Sequence, residues 1–243
     1  MKANYSLHEI SSCRSKEKVH IDNIDIWVRL VIRPLSYIFT WLFLKLKVSA
    51  NQATAFSAVV SVVGSLFLLF GDRSGITVGL IIMNFWIVFD CIDGNISRVT
   101  KTASKKGMFF DGISGYLYIT LLYLSLGVSA YHLTEYDANY LFLIFGFSTS
   151  ILVILPRLIN NKMSVIFNSN GSEISEKNSY GVIMIIGLNV AGAAGLANPL
   201  MIVFFFLNHL DWYVFIYFII HLCIGLYSFF TTMKTVRKIR END

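Results

Sequence analysis

An all-α integral membrane fold is what this sequence predicts: six transmembrane helices preceded by an amphipathic interfacial helix, with both termini cytoplasmic. Three observations carry that expectation. Of the 243 residues, 55% are hydrophobic and only 14% charged, whereas soluble domains carry about 25% charged residues. Mean hydropathy is +0.62. Apolar runs between charged breaks repeatedly reach the roughly 20 residues that a hydrocarbon core of about 30 Å requires. No polar stretch is long enough for a second domain. The organisation read from the chain is a cytoplasmic N-terminal segment (1–48), a six-helix membrane domain (49–234) and a basic cytoplasmic tail (235–243).

The N-terminus lacks the short apolar core of a signal peptide, since its first long hydrophobic run comes after charged residues. Over residues 22–47, Ile26, Trp27, Leu30 and Val31 oppose Arg29 and Arg33, the pattern of a helix lying in the headgroup plane. Pro34 starts a second helical piece there, and the run 35–44 is too short to cross a bilayer alone. Six spans then lie near 52–71, 75–95, 107–131, 139–159, 180–208 and 212–233. The fifth is the least regular. It holds Asn189, small residues from Gly192 to Gly195, and Pro199, which predict either a break or a close helix approach.

Basic residues set the orientation. Nineteen of the twenty lysines and arginines fall on one side of this arrangement, leaving Arg73 on the other. The positive-inside rule makes the rich side cytoplasmic. The net charge of +5 is spread over helix ends rather than gathered in one patch, which suits anionic lipid and gives no reason to expect a nucleic-acid partner. Cys13, Cys91 and Cys223 are far apart and show neither disulfide-framework nor zinc spacing.

Twelve of the fifteen acidic residues lie in tails or connections; Asp90, Asp93 and Asp111 do not. A carboxylate in a span costs about 2.5–3.5 kcal/mol at mid-helix and marks function by default. Asp90 and Asp93 share a helix face. The short polar connection from Asn95 to Lys106 folds the second and third spans into an antiparallel pair, bringing Asp111 to the same cytoplasmic end. Three converging carboxylates repel one another unless protons or a cation neutralise them. Oxygen donors suit a hard ion such as Mg²⁺ or Mn²⁺. Gly94, Gly107 and Gly112 leave room for a diphosphate to approach backbone.

The run Asp90-Cys-Ile-Asp93-Gly94-Asn-Ile-Ser97-Arg98, then eight residues to Gly107 and three to Asp111, resembles the signature of the CDP-alcohol phosphotransferases, D-x2-D-G-x2-A-R-x8-G-x3-D-x3-D. Six specified positions match with every spacing intact, Ser97 replaces a small alanine, and Gly115 stands where the fourth aspartate belongs. Ser49-Ala-Asn51-Gln-Ala-Thr54 is similar to the P-N-x-x-T that opens the family's first span, with Ala50 for proline; Asn51 and Thr54 also suit plain helix caps.

The resemblance implies an enzyme that moves a substituted phosphate from a CDP-linked donor (CDP-diacylglycerol or a CDP-alcohol) to an alcohol or phosphate acceptor. CMP leaves, and the product serves phospholipid or surface-polymer synthesis. It further implies two Mg²⁺ or Mn²⁺ ions on Asp90, Asp93 and Asp111, with donor contacts from Asn51, Thr54, Gly94, Ser97, Arg98 and Gly107. A homodimer in the cell (inner) membrane with a cytoplasmic site is implied as well. Arg157, where the fourth span ends, is the candidate grip for an acidic acceptor; Lys162 fits a positive-inside anchor better, a role open to Arg157 too.

In the family the residue at position 115 is the presumed general base. With Gly115 there, four readings stand open: another base acting through water, an acceptor phosphate that needs none, a chain that binds CDP-lipid without turnover, or a position altered from aspartate. A cation transporter is the competing class. It is disfavoured by carboxylates near one face and by the absence of an inverted repeat.

Overall fold

The computed structural model describes residues 5–135, 137–166, 189–192 and 195–240. Regular structure among them is entirely helical. An N-terminal arm comprises α1 (Leu7–Ser12), α2 (Lys16–Ile24), a π-helical turn (Val28–Ile32) and α3 (Arg33–Lys45). Next come the long helices α4 (Ala50–Phe70), α5 (Arg73–Thr100), α6 (Lys105–Leu133) and α7 (Tyr140–Ile166), then the short α8 (Ala197–Phe206) and the final α9 (Leu210–Arg240).

Five helices are long and apolar enough to cross a membrane: α4, α5, α6, residues Tyr140–Met163 of α7 and residues Leu210–Arg237 of α9. The pair Lys18–Ile24 and Val28–Lys45, bent by 117°, would by length and composition make a sixth. The protein is therefore an all-α membrane protein. For the irregular fifth span, residues 180–188 lie outside the described part, and the helix is broken between Asn189 and Ala197. Leu196 N donates to Asn189 O at 2.8 Å across the break, and α8 starts at Ala197. A methyl group on Gly195 would sit 2.4 Å from Asn189 O, so this glycine serves a close approach as well as the break.

Glycine also sets how closely the spans cross. A methyl group on Gly79 would lie 2.8 Å from Leu68 Cγ and 2.9 Å from the Gly64 carbonyl, so α4 and α5 touch backbone to backbone. Gly127 and Gly146 do the same for α6 and α7, where an added methyl would meet the opposite Cα at about 2.7–2.8 Å. Small residues at such crossings let van der Waals packing replace the hydrophobic drive that lipid cannot supply. The core between them holds Leu68, Leu80, Met83, Leu122, Leu126 and Phe205, each nearly inaccessible. Trp86 stacks flat on Tyr118 at 3.8 Å, and Tyr118 Oη donates to Asn198 Oδ1 at 2.9 Å, tying α8 to α5 and α6.

The amphipathic stretch expected over 22–47 is divided in two, but at Asp25 rather than at Pro34. α2 stops at Ile24, Asp25 is extended, and its carboxylate takes the Val28 N–H at 3.1 Å to start the next turn. Asn189 fixes this corner from across the fold: its Oδ1 accepts from Ile26 N at 3.0 Å and its Nδ2 donates to Ile24 O at 2.8 Å. Pro34 does not open the second piece: the chain is helical from Ile26, and Pro34 follows directly on the π-helical turn, whose wider ladder takes up its missing N–H.

Candidate active site

Two helix starts and one tight connection build a cavity at the end of the bundle that carries Arg98, Lys101, Lys105 and Lys106. Ser49 caps α4 through a capping box with Gln52, so Asn51 and Thr54 are not the caps. They are left free to face α5 and α6. α5 ends on Lys101, which adopts a left-handed φ of 56°, while Thr102 N donates to Ser97 O at 2.9 Å. Ser104 then caps α6, its Oγ accepting from Gly107 N at 3.1 Å. The reversal is complete within four residues, which keeps Asp93 and Asp111 near each other.

The cavity measures about 250 Å³, and eight residues singled out by the sequence line it: Asn51, Thr54, Asp93, Gly94, Ser97, Arg98, Gly107 and Asp111. Asp93 is 7% exposed. Thr54, also buried, donates its hydroxyl to Asp93 Oδ2 at 2.5 Å. Asp111 stands exposed at the rim. Arg98 lies across Gly94: a methyl group there would meet both terminal guanidinium nitrogens at 3.1 Å. Arg98 donates to Asn95 Oδ1 at 3.0 Å, while its buried Nε has no partner. A methyl group on Gly107 would sit 3.4 Å from Asn51 Oδ1, so glycine keeps this wall thin. Ser97 is spent on its own helix, bonding Gly94 O at 3.0 Å.

Asp90 is half-buried on α5. Asp93 and Asp111 thus face one cavity, and Asp90 stands outside its lining. Among the described residues no three acidic, histidine or cysteine side chains gather tightly enough to enclose one ion. Nor does a lysine or arginine form an ion pair with any of the three; the ion pairs among the described residues all involve Asp22. Two carboxylates on one cavity without an ion-paired cation, beside hydroxyl and amide oxygens, fit a hard divalent cation.

Gly115 lies one turn along α6 from Asp111, and a methyl group on it would meet nothing within 4 Å. Arg157 is exposed on α7 and Lys162 is exposed near its end; neither lines the cavity. Other lining residues were not legible from the sequence, namely Thr102, Ala103, Ser104 and Met108. They owe their place to the tight connection, and the Ser104-x-x-Gly107 cap was its available sign.

A buried polar link extends from this cavity into the arm. Asn95 Nδ2 donates to Ser36 Oγ at 3.3 Å and to Thr40 Oγ1 at 3.1 Å, and Asn95 in turn holds Arg98.

Fold and site together define a helical integral membrane protein with an acidic, oxygen-lined cavity at one end of its bundle. The chain belongs to the CDP-alcohol phosphatidyltransferase family, whose model matches residues 47–207. That stretch runs from just before α4 to just after α8 and contains the whole cavity. Membership makes this a protein of a transferase family, one that passes a phosphate-linked group from a CDP-alcohol to an acceptor and is generally dependent on divalent metal. No curated protein matches the chain.

Proposed function

We propose that the cavity binds the cytidine diphosphate part of a CDP-linked donor and that the protein transfers the donor's substituted phosphate to an alcohol or phosphate acceptor. The observation that carries this reading is the meeting of eight signature and first-span residues around one space. Asp90, Asp93 and Asp111 hold Mg²⁺ or Mn²⁺, two ions by analogy with the family. When bound, the metal neutralises diphosphate charge and polarises the phosphoryl oxygens. Thr54 fixes the Asp93 carboxylate by spending one of its lone pairs, which orients the other oxygen toward the cavity. Arg98 presents guanidinium nitrogens over Gly94, where backbone alone separates them from a diphosphate. Gly94 and Gly107 keep the walls low enough for the nucleotide. Arg157, outside the cavity on α7, serves an acidic acceptor only if that acceptor spans from α7 toward Asp90.

The acceptor oxygen attacks the phosphorus nearer the donor's alcohol or lipid, the bond to the CMP phosphate breaks, and CMP leaves. A hydroxyl acceptor needs a base, and Gly115 offers none. An acceptor oxygen already ionised needs no proton removed. The basic residues Arg98, Lys101, Lys105 and Lys106 at this end support a reading with the site and both termini on the cytoplasmic face of the cell membrane. The protein acts there as a homodimer.

Purified protein with Mg²⁺ or Mn²⁺ and a panel of CDP-linked donors and acceptors releases CMP on this reading, and chelation stops it. One observation favours a second reading: Gly115 in the base position suits a chain that binds CDP-lipid without turnover. Metal-dependent donor binding with no CMP from any pair would establish that alternative. Failure to bind cytidine nucleotide at all would remove both.

A further inference from the structure

Opposite the cavity, the arm brings three cations around one carboxylate. Asp22 is buried and takes Arg33 Nη2 on Oδ1 at 2.7 Å, Arg14 Nη1 on Oδ2 at 3.0 Å, and Lys18 Nζ near Oδ1 at 3.6 Å. Among the described residues no other carboxylate pairs with these three. The next along the chain, Asp25, is committed to the Val28 N–H. Among the described side chains the cluster therefore sets three cations against one carboxylate.

Arg33 makes the excess concrete. Its side chain is 5% exposed, yet Nε and Nη1 are buried with no hydrogen-bond partner. A guanidinium this enclosed normally satisfies its donors. Here one face is bonded to Asp22 and the other donors are unspent. Lys18 keeps 42% of its side chain exposed, so the cluster opens to the surface on that side. The cluster sits on the α5 side of the arm, since α3, which starts with Arg33, packs through Ser36 and Thr40 on Asn95 of α5.

We propose that Arg14, Lys18 and Arg33 form a subsite for a phosphate monoester on the arm, against the Asn95 face of α5 and away from the nucleotide cavity. Its role as the acceptor's anchor rests on the transferase reading above, in which Asp90, Asp93 and Asp111 are occupied by metal and do not neutralise the arm. The chemistry recognised is a phosphate dianion, since three cations set against one carboxylate and a guanidinium with unspent donors match it. That dianion is carried either by a free phosphorylated acceptor or by a lipid headgroup of the same leaflet. The subsite lies wholly outside residues 47–207, the stretch the family model matches.

The test monitors acylation of lysines in the full chain by an amine-reactive acetyl ester, read by mass spectrometry, with Lys16 as the exposed internal control. In phosphatidylcholine nanodiscs, inorganic phosphate is expected to slow Lys18 acylation several-fold and leave Lys16 unchanged. In nanodiscs containing phosphatidic acid and no added phosphate, the same protection points to a lipid headgroup as the source. Either result upholds the subsite, and Arg14→Gln should weaken it. Equal acylation of Lys18 in plain, phosphate-treated and phosphatidic acid nanodiscs overturns it. The readout needs no turnover. Protection without CMP release therefore sinks the transferase reading alone, and CMP release without protection sinks the subsite alone. In active protein Lys18→Gln raises KM for a phosphorylated acceptor and leaves KM for the CDP-linked donor unchanged.

Discussion

The cavity and the arm are built on opposite charge logic. On the cavity side, Asp93 and Asp111 stand without a cationic partner, supported by a threonine hydroxyl and lined by glycines. On the arm side, three cations share the single carboxylate of Asp22. The first arrangement wants a cation and the second an anion. Each is incomplete by itself, and the buried Ser36–Thr40–Asn95–Arg98 link holds the two at a fixed spacing. A protein that needed these charges for stability alone would pair them with each other, because an unpaired buried charge is expensive. Their separation is what a site for two oppositely demanding ligand parts requires.

Substitutions probe that contrast from both sides. The largest effect is expected from Asp93→Asn, which removes the buried carboxylate that Thr54 orients. CMP release should fall by orders of magnitude, with folding intact by circular dichroism. Gly115→Asp works in the other direction. The position is helical and has open space around it, so the carboxylate enters without strain. A supplied general base is worth about 10²–10⁴-fold, and alcohol transfer should rise by up to that factor while transfer to an already ionised acceptor does not.

On the arm side, Asp22→Leu leaves Arg14 and Arg33 as uncompensated buried charges, a change that costs about 3–5 kcal/mol. Thermal unfolding and protease sensitivity should show the arm loosened, while metal-dependent nucleotide binding in the cavity persists. Thr54→Val is the mildest. It keeps the shape of the side chain and removes the donor to Asp93; loss of such an orienting bond weakens metal by about 10–100-fold. Thr54→Ser should restore most of it, as metal titrations of CMP release would reveal.

The same contrast explains what the sequence disclosed. The cavity is largely a product of one helical hairpin, and its spacing from Asp90 to Gly115 is written in consecutive residues. Apolar runs bounded by Arg73, Arg98 and Lys105 set the long helices for the same reason. Sequence patterning could not reach contacts between distant segments. The bond from Thr54 to Asp93 bridges two helices, and the corner after α2 depends on Asn189, far along the chain. From the sequence the division of residues 22–47 falls at Pro34, whereas Asp25 and Asn189 make it at the end of α2. Arg157 lies on α7, outside a cavity that is lined by α4, α5, α6 and the connection between the last two. Asp22 looked like an ordinary charge in a polar leader. Its burial among three cations required the fold.

Whether the carboxylates and a metal together hold the nucleotide is decided by calorimetric titration of CDP into the full chain in detergent. The titration is run with and without Mg²⁺, for the native protein and for Asp93→Asn. Binding is expected to need Mg²⁺ and to disappear in Asp93→Asn. CDP binding that is as tight in chelator, or that survives Asp93→Asn unchanged, would contradict a metal-held nucleotide site.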